Sequence, residues 1–402
     1  MKGKNNGALY QAEYAAMNGC NWMLYCVAFS FTGLFLLDRG YSSTQMGLIL
    51  AAANVLALPL QPVLADIADR SRRLTLLGLL SGILAFLLLM AGGILLFSEK
   101  GAALTLAYVL LLMGVQGIQP LVNSFSFYLD SWGAHINFGL CRAVGSLGFA
   151  AISVVVGKLA ETFGVRVVPG TAVVLLLLFL LLMGALRLQR GRGETSAQTE
   201  TDQESPKEGL TTFFRRYPRY GRFLIGVALI FTGHTFVNNF LIHLVQAAGG
   251  GSGDLGTICA VTALLEIPGM AAFAGLARKF RGVRLLRLSL VVFTVKLALA
   301  LAARNLAGLY VSTLLQLISY GLFIPASVQY SEDVMAPGDS VKGQAFITTM
   351  ITIGAIFSSL AGGRVIDLLG IRWALALFLA LSVAGTVVAL TGVEDPKSAA
   401  KG

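Results

Sequence analysis

Long apolar runs alternate along the chain with short polar gaps. A hydrocarbon layer about 30 Å thick takes roughly 20 residues of helix to cross. Twelve runs reach that length: 12–37, 44–66, 74–97, 102–129, 139–162, 168–188, 218–246, 254–278, 284–303, 306–331, 340–363 and 370–391. None shows the period-two alternation of a lipid-embedded barrel strand, so helices are the expected spanning element. The pattern predicts an all-α membrane protein of twelve transmembrane helices.

Composition supports this. Of 402 residues, 56% are hydrophobic and only 12% charged, against about 25% charged in soluble domains; the mean hydropathy is +0.77. That excludes a soluble enzyme with a large core. The net charge of +10 lies in the gaps between runs and reads as a topology signal, not a nucleic-acid patch. With the N-terminus in the cytoplasm, cytoplasmic ends and loops hold 22 of the 30 basic residues. The outer loops hold seven: Arg39, Lys100, Lys158, Arg166, Arg304, Arg364 and Arg372. Both termini are therefore expected inside a cell membrane crossed many times. Cys20, Cys26, Cys141 and Cys259 sit in or beside apolar runs, at no metal spacing and in no disulfide framework. No cleavable leader is expected, because the first run is too long for a signal segment and lacks a small-residue cleavage site.

One gap differs from the others. Residues 189–216, QRGRGETSAQTETDQESPKEGLTTFFRR, are polar and read as a solvated tether or a regulatory segment. They divide the chain into a six-helix bundle over 1–188 and another over 217–402. The halves also share a pattern: GKLAETFGVR at 157–166 recurs as GRVIDLLGIR at 363–372, an offset of 206. Both copies fall at the outer end of the fifth span of their half, as a parallel repeat requires.

Between spans 2 and 3 stands QPVLADIADRSRR (61–73), with three arginines and two aspartates. Two six-helix halves with such a loop resemble the major facilitator superfamily. Asp69, Arg70 and the basic pair Arg72 and Arg73 match its loop signature; Ala65 and Ser71 depart from it. The resemblance implies two pseudo-symmetric bundles and a cytoplasmic latch made by these four residues, which breaks when the carrier turns inward. The other reading of the arginines is the positive-inside rule alone, which leaves Asp66 and Asp69 without a purpose. A second motif, FGLCRAVGSLGF (138–149), resembles the oligosaccharide, nucleoside and phenylpropionate proton symporter branch, with Val144 in place of a tryptophan. Gly145 and Gly148 in it permit close helix approach.

Ionisable residues inside spans are costly and point to function. Arg142, one turn into span 5, matches a substrate-binding arginine of the resembled sugar permeases; snorkelling to the interface is the other reading. Glu266, beside Pro268 in span 8, and Lys296 in span 9 are read as a proton-coupling group and its partner, or as a structural ion pair. His234 is a relay or a hydrogen-bonded histidine. Polar stripes mark spans 1 (Tyr14, Asn18, Asn21, Tyr25), 4 (Gln116, Gln119, Asn123), 7 (His234, Asn238, Asn239) and 10 (Gln316, Tyr320). Those are the spans that line the central path in the resembled family. Each stripe alone could serve interhelical hydrogen bonding.

These features predict a secondary transporter of a small polar organic solute, sugar- or nucleoside-like, working by alternating access with protons. No cofactor and no metal are expected; the partners are the substrate and the bilayer, around a monomer. The alternatives are a uniporter or exporter of amphipathic compounds, or a transporter-like receptor that does not cycle. No phosphate-binding loop, hydrolase elbow or metal-ligand cluster is present in the sequence.

Overall fold

A computed structural model gives the structure of residues 2–70, 75–97, 99–130, 135–190 and 210–395. Among the described residues every element is helical, and twelve helical spans are long and apolar enough to cross a membrane. They are helix 1 (Gly7–Asp38), helix 2 (Ser43–Ala68), helix 3 (Leu76–Leu96), helix 4 (Ala102–Asp130), helix 5 (Phe138–Phe163), helix 6 (Val167–Arg187), helix 7 (Pro218–Asn239), helix 8 (Ser252–Phe280), helix 9 (Gly282–Ala302), helix 10 (Leu306–Val334), helix 11 (Gly338–Leu369) and helix 12 (Ile371–Gly392). Helix 11 runs six residues past its expected end. Its last residues, VIDLL, belong to the repeated pattern and continue the same helix.

The chain forms two compact units: Met1–Thr201 with Gly251–Ala260, and Asp202–Gly250 with Val261–Gly402. The opening turns of helix 8 group with the first unit because Gly256 lies against Ser153 and Gly157 of helix 5, where a Cβ would stand 2.1 Å from the Ser153 carbonyl oxygen. The tether expected over 189–216 falls largely on residues 191–209, outside the described residues. Its end, Leu210–Arg216, is a short helix.

In the first unit, helix 1 packs along helix 5. Gly145 and Gly148 make this possible: a Cβ on Gly145 would come within 2.5 Å of Trp22, and one on Gly148 within 3.3 Å of the Gly19 carbonyl oxygen. In the second unit, helix 7 is the hub, wedged against helices 11 and 12. Phe223, Val227, Ile230 and Phe231 of helix 7 join Phe293 of helix 9 and Phe323 of helix 10 in one apolar core. Ion pairs gather at one end of that unit: Arg216–Asp339 at 3.0 Å, Arg219–Glu394 at 3.5 Å and Arg287–Asp395 at 3.5 Å. Tyr217 also donates to Asp339, at 3.0 Å, so the short helix before helix 7 is anchored to the start of helix 11.

The repeated pattern has a structural identity. Helix 5 stops at Gly164, with φ 80° and ψ 171°; helix 11 stops at Gly370, with φ 84° and ψ 168°. The same glycine of each copy takes the same backbone conformation, one a side chain strains against. Gly164→Ala and Gly370→Ala should each cost about 1–3 kcal/mol and lower the melting temperature in detergent. Gly184→Ala, in a helix with open space around it, should not. Equal melting of all three would refute the constraint.

Candidate functional site

Helices 1, 4 and 10 are interrupted within their spans, and helix 7 is followed, after a break at Phe240, by a short helix; the other eight are single uninterrupted α-helices. Helices 1, 4, 7 and 10 are also the ones that carry the polar stripes. Helix 1 winds into a π-helix at Cys26–Ser30 before resuming at Thr32. Helix 4 breaks at Ile118, between segments Ala102–Gly117 and Gln119–Asp130. Helix 7 breaks at Phe240 and continues as Leu241–Ala247. Helix 10 tightens to a 3₁₀ turn at Leu315–Leu317. Helix 8, in contrast, runs through Pro268 without interruption.

The break in helix 4 has a simple cause. Pro120 has no N–H to give the Gln116 carbonyl one turn back, and the Gln61 side chain supplies that bond instead, at 3.1 Å. Gln116 in turn donates to Asn54, at 3.0 Å. Asn21 donates to Gln119 across helices 1 and 4, at 3.2 Å, and the Tyr14 hydroxyl donates to the Val122 carbonyl at 3.2 Å. Tyr14, Asn18 and Asn21 are fully buried, so their stripe turns into the first unit toward helix 4. Asn123 is exposed, and Tyr25 stacks on Phe29 with ring centroids 4.5 Å apart. Four buried polar atoms here have no hydrogen-bond partner among the described residues: Asn18 Oδ1, Asn21 Oδ1, Gln119 Nε2 and Trp22 Nε1. Such atoms cost about 1–3 kcal/mol each when left unmet, so this layer holds more hydrogen-bonding capacity than its own packing uses.

Arg142 lies over the Trp22 ring, 3.8 Å from its centroid, and donates to Ser146 at 2.9 Å. Trp22 is a residue the sequence pattern did not single out. Its signal was present in Gly145, which leaves room for the indole. The latch expected at Asp69, Arg70, Arg72 and Arg73 falls on side chains outside the described residues.

In the second unit, Glu266 and Lys296 are joined through Gln316. The Gln316 amide nitrogen donates to Glu266 Oε1 at 2.7 Å, and Lys296 Nζ donates to Gln316 Oε1. Lys296 and Gln316 are buried; Glu266 is half-buried. His234 sits beside this chain, stacked on Tyr320 at 5.6 Å and in contact with Asn238 at 3.3 Å. Asn238 is exposed, while its neighbour Asn239 turns the other way and donates to Ser359 of helix 11, at 2.9 Å. The structure thus brings Glu266, Lys296, Gln316, His234 and Tyr320 together and assigns Asn239 to helix packing. Sequence reasoning treated Gln316 as cavity lining and missed its bridging position, because three helices meet there. Among the described residues, no three His, Cys, Asp or Glu side chains come together as a metal site.

Twelve spans in two compact units, with polar stripes on four helices of irregular backbone, define a membrane carrier of the two-bundle kind. The chain belongs to the MFS_1 like family, whose model matches residues 23–377, and so to the major facilitator superfamily. It is a multi-pass membrane transporter and not an enzyme. It is 27% identical to "Maltose permease" of Geobacillus stearothermophilus over 93% of this chain and 94% of that one. It is 24% identical to "Uncharacterized transporter YwbF" of Bacillus subtilis over 93% and 92%. Among solved structures it is similar to the nucleoside transporter NupG, with a TM-score of 0.74 at 14% identity, covering 98% of this chain and 99% of that one. A single-site variant of the same transporter superimposes with a TM-score of 0.78, also at 14% identity, over 96% and 100% of the two chains.

Gly145→Val should collide with Trp22, an overpacking that costs about 1–3 kcal/mol, and lower the melting temperature in detergent. Adding Trp22→Ala should restore much of that loss. A double variant no more stable than Gly145→Val would show that Trp22 is not what Gly145 accommodates.

Proposed function

We propose that the chain imports a small hydroxylated solute, sugar- or nucleoside-like, together with protons. It does so by alternating access, as a monomer in the cell membrane with both termini in the cytoplasm. The chain Lys296–Gln316–Glu266 carries the reading. An isolated ionisable group inside a bilayer is expensive, and a structural pair is often replaceable by apolar packing. A carboxyl group kept half-buried beside an interrupted helix is suited to binding and releasing a proton. Amide side chains around Asn21, Gln119 and Asn54 both donate and accept, which suits hydroxyl groups on a solute. The names of the maltose permease and of NupG point to the same solute classes. The basic distribution in the loops supports the orientation, and the loop at Asp69, Arg70, Arg72 and Arg73 is the proposed latch.

The second reading is a gradient-independent uniporter or exporter, in which the same three residues only hold helices 8, 9 and 10 together. Uptake of labelled maltose and uridine into proteoliposomes separates the two. With one proton per solute, each unit of inwardly directed pH gradient should give about tenfold accumulation, abolished by a protonophore. Glu266→Gln should lose accumulation and retain counterflow exchange. Accumulation that survives the protonophore or the substitution contradicts proton coupling through Glu266; transport of neither probe contradicts the solute class.

A further inference from the structure

Gln316 occupies an unusual place. It is the middle residue of the 3₁₀ turn that interrupts helix 10, and it is 1% exposed. Its amide has a donor-only ammonium on one side and an acceptor-only carboxylate on the other, so chemistry fixes which way it points: carbonyl to Lys296, N–H to Glu266. The backbone beside it is also in close contact. Gly269, one turn after Glu266, lies against helix 10, where a Cβ would stand 2.4 Å from the Leu317 carbonyl oxygen and 3.0 Å from Gly321 Cα. Helices 8 and 10 therefore touch backbone to backbone at the break, with no side chain between them.

Upstream of the break, Ser312 donates to the Lys296 carbonyl at 2.8 Å, which ties segment Leu306–Leu314 to helix 9. Downstream, segment Tyr320–Val334 is preceded by Ser319, whose hydroxyl and backbone N–H both donate to the Leu315 carbonyl, each at 2.8 Å. The Tyr320 ring stacks on His234. The upstream piece is tethered to the lysine backbone, and the downstream piece is bounded by an irregular joint.

We infer that Gln316 is a positioning residue that passes the charge state of Glu266 to the joint in helix 10. This rests on the reading of Glu266 as the proton-coupling group. With Glu266 ionised, the amide dipole lies along the field between the two charges and holds the turn. When Glu266 takes up a proton, the amide loses its charged acceptor and Lys296 becomes a buried charge that has lost its carboxylate partner among the described residues, a costly state. Relief comes at the joint, where backbone hydrogen bonding is already irregular, and segment Tyr320–Val334 shifts against Gly269.

Hydrogen exchange on the full-length protein in detergent tests this without a known substrate. Glu266→Gln, which mimics the neutral acid, should speed amide exchange over residues 316–322 by at least about fivefold, a sign of local opening. Gln316→Leu should do the same, and Gln316→Asn, too short to span both partners, serves if the leucine variant does not fold. The double variant with Glu266→Gln should add nothing further, because both changes cut one link. Additive effects, or unchanged exchange in either single variant, overturn the inference. Failure of the coupling reading shows elsewhere, as accumulation that survives Glu266→Gln in proteoliposomes.

Discussion

The hydrocarbon layer offers no hydrogen-bond partner to a peptide group, and this constraint shapes the molecule. A helix that crosses it must either bond to itself throughout or have its broken bonds met by protein or by water in a cavity. Eight spans take the first course. Helices 1, 4, 7 and 10 take the second, and in helix 4 the Gln61 side chain meets the Gln116 carbonyl that Pro120 leaves open. The irregular backbone and the polar side chains coincide because each needs the other. A polar stripe on a lipid-facing helix would be as costly as an open backbone bond.

The two units meet this constraint with different chemistry. The first buries amides, a tyrosine and an arginine–tryptophan stack, with hydrogen-bonding capacity to spare at Asn18, Asn21, Gln119 and Trp22. The second joins a buried lysine to a half-buried glutamate through an amide. The amides of the first unit suit recognition of hydroxyl groups, whereas the Lys296–Gln316–Glu266 chain of the second suits a response to the arrival of a proton. The proposed division of labour between halves follows from that difference, although the halves share a repeated pattern that ends helices 5 and 11 on equivalent glycines.

Much of this was legible in the sequence, and the physics says which parts. Span positions follow from run length and apolar content, which the bilayer dictates locally, so twelve runs became twelve helices with shifts of a few residues at most ends. The repeat at 157–166 and 363–372 was readable because a helix stop at positive φ favours glycine. The interruptions were not, since the polar residues beside Ile118 and Phe240 and at Gln316 mark a stripe without saying that the backbone breaks there; only Pro120 gave a local hint. Trp22 and Gln316 were missed as contact residues for the same reason: what they touch lies on other helices, set by packing that spacing along one helix does not record. The grouping of residues 251–260 with the first unit depends on a glycine contact more than ninety positions away in the chain.

If polar faces and broken backbone belong together, the four interrupted helices face water and the eight continuous ones supply the lipid-facing surface. Single cysteines at Asn123, Asn238 and Tyr320, in a chain with its four native cysteines replaced, can be probed in membranes with a charged, water-requiring thiol reagent. All three should label, and cysteines at Leu89 and Leu181, both about 70% exposed on the outer faces of helices 3 and 6, should not. Silent polar positions beside reactive leucines would contradict this arrangement.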